Sequence, residues 1–238
     1  MNIINTAFNF YADSNGKDPD SASPTLRRYH KLLWSKKLPN DQTFVLKEKI
    51  GGAYLFHKSC LGKFYLGSDA ITHSYKYHKR KAYIVQQIPR DVNELYDKGS
   101  TIGGYIIFPN NRIDGKHTIN QARGISKLID DRFDLTLECI RRYYQNKPSP
   151  LFETLKRYSN FFSLFLSFNG YVKYFLLDDL VDDQQNVLFY LPFTNFNNPP
   201  QFRDVRDYIN YKSNVINFID NRNARIMEYA NSIKNNVA

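Results

Sequence analysis

Two histidines lie beside cationic side chains, and these residue types suit acid–base chemistry on a phosphodiester. His30 shares a segment with Arg27 and Arg28, and His57 directly precedes Lys58. An imidazole exchanges a proton near neutral pH, and a neighbouring cation stabilises the charge that develops on a phosphate in the transition state. The pattern predicts His57 and His30 as candidate catalytic residues of a metal-independent ribonuclease. The alternative is that each is a hydrogen-bonded core histidine or a surface histidine.

The positive charge of the chain is concentrated in one third of its length. The formal net charge is +10, and residues 21–89 hold 13 lysines and arginines against three acids, a surplus of ten that accounts for all of it. Aromatic residues, among them Tyr29, Trp34, Tyr75 and Tyr77, are interleaved with these cations. Cations replace the counterions of a phosphate backbone, and flat rings stack on bases. The candidate nucleic-acid-binding or anion-binding residues are Arg27, Arg28, Lys31, Lys58, Lys76, Lys79, Arg80, Lys81 and Arg123.

This charge pattern predicts a protein that binds RNA or DNA, and a ribonuclease-like toxin or phage-defence effector is the most specific form of that hypothesis. Three alternatives stay open. The cations form a merely solvated surface, because net charge constrains solubility more than it constrains partners. They bind an acidic protein, in which case the chain is a non-enzymatic interaction module. Or the chain is an enzyme that binds a small phosphorylated ligand in a pocket lined by Arg123, His57 and Lys58.

The acidic residues form two clusters but match no metal-site pattern. The first spans residues 130–138 and the second residues 178–183, and basic residues at helical spacing near the first predict ordinary ion pairs. No metal and no cofactor are predicted. Two cysteines, Cys60 and Cys139, are too few for a disulfide framework. With no recognisable signal peptide or membrane span, the sequence predicts a cytoplasmic protein without a membrane partner. It does not predict an oligomeric state.

These residues must be positioned by an α+β fold. Short runs of branched and aromatic residues predict strands, and apolar positions at helical spacing predict helices. The predicted strands are residues 3–11, 43–50, 53–59, 63–67, 81–88, 101–108 and 187–191. The predicted helices are residues 23–35, 91–98, 118–129, 132–145, 151–167, 171–180 and 203–229. The order predicts one domain, strand-rich over residues 1–117 and helix-rich over 118–238, with a mostly antiparallel or mixed sheet packed against a helical layer.

Several segments in order along the chain resemble an uncharacterised bacterial domain-of-unknown-function family. They read SPTLRRYHKLLWSKKLP (23–39), YLFHKSCLG (54–62), IGGYIIFP (102–109), TINQARG (118–124), DRFDLTLECIRRYY (131–144) and FNGYVKYFLLDDL (168–180). The resemblance extends over most of the chain and implies a single full-length domain. It implies no activity, cofactor or catalytic residue.

Overall fold

The protein combines a small antiparallel sheet with a larger helical part. The structure, a computed structural model, describes residues 4–48, 55–198 and 201–235. The strands are β1 (Lys47–Glu48), β2 (Leu55–Ser59), β3 (Gly62–Ala70) and β4 (Tyr105–Pro109). The helices are α1 (Pro19–Ala22), α2 (Pro24–Trp34), α3 (Ala82–Val85), α4 (Pro89–Gly99), α5 (Ile119–Ile125), α6 (Phe133–Tyr144), α7 (Phe152–Arg157), α8 (Ser159–Ser163), α9 (Phe168–Tyr174) and α10 (Val205–Asn235). Turns of 3₁₀ helix lie at Phe10–Asp13, Lys79–Lys81, Ile102–Gly104 and Asp178–Leu180.

The four strands pair in chain order, and every pair is antiparallel. β3 is the long strand at the centre, and it joins β2 on one side to β4 on the other. All five residues of β4 are buried, so the helical part covers this edge of the sheet. The predicted α+β class, with an antiparallel sheet from the N-terminal half and a helical layer from the C-terminal half, is confirmed. Within the described ranges, no helix has the combined length and apolar character that crossing a membrane requires.

Local capping signals place the starts of several helices. At α2 the Ser23 hydroxyl accepts a hydrogen bond from the Leu26 N–H at 3.0 Å, and Pro24 occupies the first helical position. At α5 a capping box links Thr118 and Gln121 in both directions. These groups satisfy N–H donors that have no partner inside the helix. The predicted helix start at residue 23 is therefore confirmed, and capping by Ser23 followed by Pro24 explains it.

Two consecutive glycines allow the backbone to pass very close to neighbouring segments. A Cβ at Gly103 would lie 2.7 Å from the Ile219 carbonyl oxygen, and one at Gly104 would collide with the Gly99 carbonyl. These glycines form a 3₁₀ turn before β4, although the strand predicted over residues 101–108 would include them. Only a residue without a side chain fits at such distances.

Three predicted strands are wrong. Residue 3 of the strand predicted over 3–11 lies outside the described residues; in residues 4–11 the side chains of Asn5 and Asn9 accept hydrogen bonds from N–H groups two residues later, and these local bonds replace a strand ladder. Residues 81–88 begin in a 3₁₀ turn and continue into α3, where the Gln86 N–H donates to the Ala82 carbonyl at 3.0 Å, a helical bond that replaces a strand ladder. Of residues 187–191, only Val187 pairs, in an isolated bridge.

Several predicted boundaries also differ. The helix predicted over residues 118–129 ends at Ile125, and the one predicted over 151–167 divides into α7 and α8. The helix predicted over 171–180 begins earlier, at Phe168, and ends at Tyr174. Residues 49–54, where two predicted strands meet, lie outside the described residues.

The glycine turn yields a stability prediction. Gly104→Ala should lower the free energy of unfolding by about 1–3 kcal/mol, because the added methyl group overlaps backbone that cannot move aside. Gly124→Ala is the control: among the described residues, nothing beyond the backbone of its own helix lies within 4 Å of the place a methyl group would take. That change should raise stability by roughly 0.5–1 kcal/mol. Urea unfolding followed by circular dichroism measures both, and an equal effect of the two substitutions would contradict the close approach.

Candidate functional site

His30, on α2, is a buried histidine whose ring nitrogens are both engaged. It is 1% exposed, its Nδ1 accepts a hydrogen bond from Trp34 Nε1–H at 3.0 Å, and its Nε2 lies 2.9 Å from Ser68 Oγ. An indole nitrogen only donates, so Nδ1 carries no proton and Nε2–H donates to the hydroxyl. Burial lowers the pKa of His30 to about 3. A neutral ring in this tautomer cannot take a proton from Ser68.

His57 lies in β2 and is also buried. It is 4% exposed, its Nδ1–H donates to the Val45 carbonyl at 3.1 Å, and its ring centroid is 4.1 Å from that of Phe44. Burial lowers its pKa. Its Nε2 has no hydrogen-bond partner among the described residues. Lys58, the next residue, is exposed because successive strand residues point to opposite faces. The two predicted catalytic histidines therefore occupy separate core positions.

Arg123 is part of a buried ion pair and not of an open anion pocket. The side chain is fully buried, and its guanidinium contacts the carboxylate of Asp69 on β3. Its Nε donates to Thr136 Oγ1 at 2.9 Å, and a terminal nitrogen donates to the Asp131 carbonyl at 3.0 Å. The charge is thus neutralised, and the contacts tie the sheet to α5 and α6. The structure does not bring Arg123 to a common pocket with His57 and Lys58.

The predicted cations of α2 are held individually. Arg27 donates to a backbone carbonyl at 3.0 Å, and Lys31 pairs with Glu48 at 3.4 Å. The guanidinium of Arg28 lies over a neighbouring tyrosine ring, 5.4 Å from its centroid. Among the described residues, no hydrogen bond, ion pair or ring contact joins these side chains to the second group of predicted cations at residues 76–81.

The second group lines a cleft. Two adjoining cavities of about 240 and 300 Å³ share walls from the turn at residues 78–81 and from the segment that follows α5. Their lining residues are His78, Lys79, Arg80, Lys81, Gly124, Ile125, Ser126, Lys127, Asp130 and Gln201. We call this the basic cleft. This lining contains four cations and a histidine but one carboxylate, that of Asp130, so the electrostatic potential in the cleft is positive.

Three of the cations in the basic cleft are available to a ligand. Lys79, Arg80 and Lys127 are exposed, and the ion pairs found within the described ranges involve other cations. Lys81 differs because it is 8% exposed and its Nζ donates to the Phe202 carbonyl at 3.0 Å. Lys81 therefore holds the segment at Phe202 in place and is not free to bind a ligand. No pattern in the sequence predicts its burial. Lysine side chains on a short turn have no periodicity that would reveal which one points inward.

Two strained turns and α10 fix the shape of the cleft. Tyr75, Asp130 and Asp131 have φ of 58°, 50° and 59°, in the left-handed region that residues with a side chain rarely adopt. The Tyr75 hydroxyl donates to the Asp130 carbonyl at 3.2 Å, which joins the two turns. From α10, the hydroxyls of Tyr208 and Tyr211 donate to backbone carbonyls of residues 74 and 73 at 2.8 and 2.9 Å. Strain that the surroundings enforce in this way often marks a functional site.

Two histidines that are not among the predicted site residues come together here. The ring centroids of His73 and His78 are 6.0 Å apart, and both rings contact Tyr75, at 4.3 and 5.5 Å. Burial lowers the pKa of His73, and the nearby Asp131 opposes this. His78 lines both cavities, and its Nδ1 has no hydrogen-bond partner in the part of the chain described. Only the left-handed turn at Tyr75 brings the two rings together, and spacing along the sequence does not predict that turn.

One of the interleaved aromatic residues is displayed beside the cleft. Tyr77 is 76% exposed, whereas Tyr29, Trp34 and Tyr75 are buried in the core. The Nζ of Lys76 lies 5.5 Å from the Tyr77 ring centroid and 4.3 Å from that of a second tyrosine, on α4. Tyr77 therefore exposes most of its ring, and it directly precedes His78, the first residue of the cleft lining, in the chain.

The acidic residues near α6 are mostly occupied by arginines. Asp134 forms an ion pair with Arg132. The carboxylate of Glu138 pairs with both Arg141 and Arg142, and each Nε lies 2.7 Å from a carboxylate oxygen. The ion pairs predicted from helical spacing are confirmed for Glu138. Over the described ranges, no group of three histidine, cysteine or acidic residues is arranged to hold a metal ion.

Comparison with known proteins identifies a family of unknown function. No curated protein and no solved structure matches the chain. A family model matches residues 4–226 of the 238, which agrees with the resemblance seen in the sequence segments. That the chain forms one domain stays a prediction. The chain belongs to DUF6994, a family of unknown function.

Proposed function

We propose that the protein binds the phosphate backbone of a nucleic-acid strand in the basic cleft. The observation that carries the proposal is the position of Lys79, Arg80 and Lys127 around shared cavities without carboxylate partners within the described residues. Binding of such unpaired cations to a phosphate backbone is favourable because it releases the counterions that were condensed on the backbone. Asp130 is the one acid among the described lining residues, so the field there favours an anion.

The shape of the site favours a single strand. Cavities of about 240 and 300 Å³ suit a phosphate and its sugar, and not the side of a double helix. The exposed ring of Tyr77 gives a base a surface to stack on, which is worth about 1–3 kcal/mol per base. The alternatives, an acidic protein and a small phosphorylated ligand, use the same cations, and the acidic protein gives the ring no base to stack on.

The proposal predicts a salt-dependent affinity that depends on the cleft. Lys79→Gln, Arg80→Gln and Lys127→Gln together should weaken binding of a labelled single strand. They should also reduce the slope of log affinity against log salt by about 2, since each lost contact to a single strand removes roughly 0.7. Fluorescence anisotropy over a salt series, with short RNA and DNA strands, measures both quantities.

The matched control removes the same charge elsewhere. Arg28, Lys37 and Lys58 are exposed and lie outside the cleft lining, so their triple glutamine variant should retain the slope. Equal loss in both variants, or no binding by the natural chain at low salt, would refute the proposal. In that case, capture of a partner that survives nuclease treatment would favour an acidic protein. Thermal stabilisation by free nucleotides would favour a small ligand.

A second candidate function, cleavage of RNA, is favoured by the contact between His73 and His78 beside the cations. In this reaction one imidazole removes the proton of a ribose 2′-hydroxyl, and the oxygen attacks phosphorus. The bond from phosphorus to the 5′-oxygen breaks, and the other imidazole donates a proton to that oxygen. The products are a 2′,3′-cyclic phosphate and a 5′-hydroxyl. The lowered pKa of His73 suits the base, and His78 then serves as the acid. Toxins and phage-defence effectors of the ribonuclease type would use such a reaction.

Cleavage is tested with a DNA strand that contains one ribonucleotide, in the presence of a chelator. His78→Ala should lower the cleavage rate by at least about 100-fold, the contribution expected of one acid or base. Binding of the 2′-O-methyl strand, which cannot react, should be unchanged. His117→Ala is the control because that histidine is exposed and lies outside the cleft. A natural chain that binds the methylated strand but leaves the ribonucleotide intact would exclude this second function and preserve the first.

A further inference from the structure

A groove of about 610 Å³ lies between α4 and α10 and shares no lining residue with the basic cleft. One face of α4 forms the first wall with Glu94, Asp97 and Lys98, which follow the i, i+3, i+4 spacing of neighbours on a helix. One face of α10 forms the second wall, and its lining residues are Asp220, Asn223, Ala224 and Met227. We call this the acidic groove. Its volume is in the range of roughly 300–1,000 Å³ that small-molecule sites have.

Carboxylates outnumber cations around the acidic groove. Three of the four charged residues in its described lining are acids, and the fourth, Lys98, pairs with Asp220 at 2.8 Å. Behind the lining, Lys212 pairs with both Glu94 and Asp91, at 2.7 and 2.6 Å. Two lysines therefore face four carboxylates, and two negative charges in this group are not compensated. This excess of acids occurs in a chain whose formal net charge is +10.

Two carboxylates on opposite walls are available to a ligand. Asp97 is exposed, and the ion pairs found within the described ranges involve other acids. Asp220 has one partner, and the side chains of Asp220 and Lys98 are 48% and 44% exposed. Water screens so exposed an ion pair, so the carboxylate of Asp220 can also accept a hydrogen bond from a ligand.

The neutral part of the lining offers an apolar surface between these carboxylates. The side chain of Asn223 is already engaged, because its Oδ1 accepts from the Gly103 N–H at 2.8 Å and its Nδ2 donates to Thr101 Oγ1 at 3.0 Å. These bonds tie α10 to the turn before β4. Ala224 and Met227, by contrast, are exposed and carry no group that a polar ligand could use. The groove therefore suits a ligand with cationic groups and an aliphatic chain.

We propose that the acidic groove binds a linear aliphatic polyamine. Ammonium groups of the ligand pair with Asp97 on one wall and Asp220 on the other, and its methylene chain lies against Ala224 and Met227. Charge complementarity selects a cation, since four carboxylates repel an anion such as a nucleic-acid strand. The inference is therefore independent of the function proposed for the basic cleft.

The arrangement of the acids selects an elongated cation. Within the described ranges, no three acidic, histidine or cysteine residues are arranged around a position that a metal ion could take. The wall on α10 extends from residue 220 to residue 227, which is about 10 Å at 1.5 Å per residue. Charges spread over such a length match ammonium groups that are separated by several methylene groups, and they do not match a single point charge.

Isothermal titration calorimetry of the full chain with spermidine at low salt tests the proposal. Asp97→Asn together with Asp220→Asn should weaken binding about tenfold, because each lost exposed ion pair weakens it by up to about fivefold. Glu153→Gln together with Asp183→Asn is the matched control. These two acids are exposed and lie outside the acidic groove, so the control variant should keep the affinity of the natural chain.

A variant that keeps every charge provides the second measurement. Ala224→Leu should also lower the affinity for spermidine, because its larger side chain takes the space of the methylene chain. Leucine is a good helix former, and circular dichroism verifies that the variant is folded. Absence of binding by the natural chain, equal loss in the two double variants, or full affinity in Ala224→Leu would each overturn the proposal. So would binding of a lysine-rich peptide without binding of spermidine, which would make the groove a docking site for a basic protein segment.

Discussion

The packing of the molecule depends on the burial of one arginine. Arg222 lies in the long helix α10, is fully buried, and donates to the carbonyls of Gly103, Tyr105 and Phe175. A buried charge is costly unless hydrogen bonds satisfy it, so these carbonyls must stay where they are. The bonds fix the glycine turn, the start of β4 and the end of α9 around a single side chain. Gly103 is required because α10 can bring this arginine to the carbonyls only if the turn approaches that helix closely, whereas Gly104 passes close to the Gly99 carbonyl at the end of α4.

The same buried charge affects more than packing. It lowers the pKa of His30 and of Lys36, in each case after burial itself. Burial and this charge together hold His30 neutral in the core, and they shift the pKa of Lys36 in the same direction. A guanidinium remains protonated throughout the physiological range, so it acts on its neighbours as a permanent charge. One structural requirement thus has chemical effects at two other residues.

Sequence patterns predicted the features that local chemistry decides. The start of α2 follows from Ser23 and Pro24, and α6 follows from its apolar stripe. The failures have a common cause, because burial and the sign of φ depend on distant parts of the chain. Residues 81–88 have the composition of a strand, yet α3 forms there and packs against α10. Likewise, a left-handed Tyr75 brings His73 and His78 together, and the basic cleft joins a turn before α3 to the segment after α5. No local pattern records either juxtaposition.

The length of α10 has a mechanical consequence. Tyr208 and Tyr211, near its beginning, hold the turn beside the basic cleft, and Tyr229, near its end, faces Lys36. At 1.5 Å per residue these two regions are about 30 Å apart along one continuous rod. A small tilt of such a lever displaces both of its ends. The turn held by Tyr208 and Tyr211 and the side chain that faces Tyr229 are therefore kept at a fixed separation by one continuous helix.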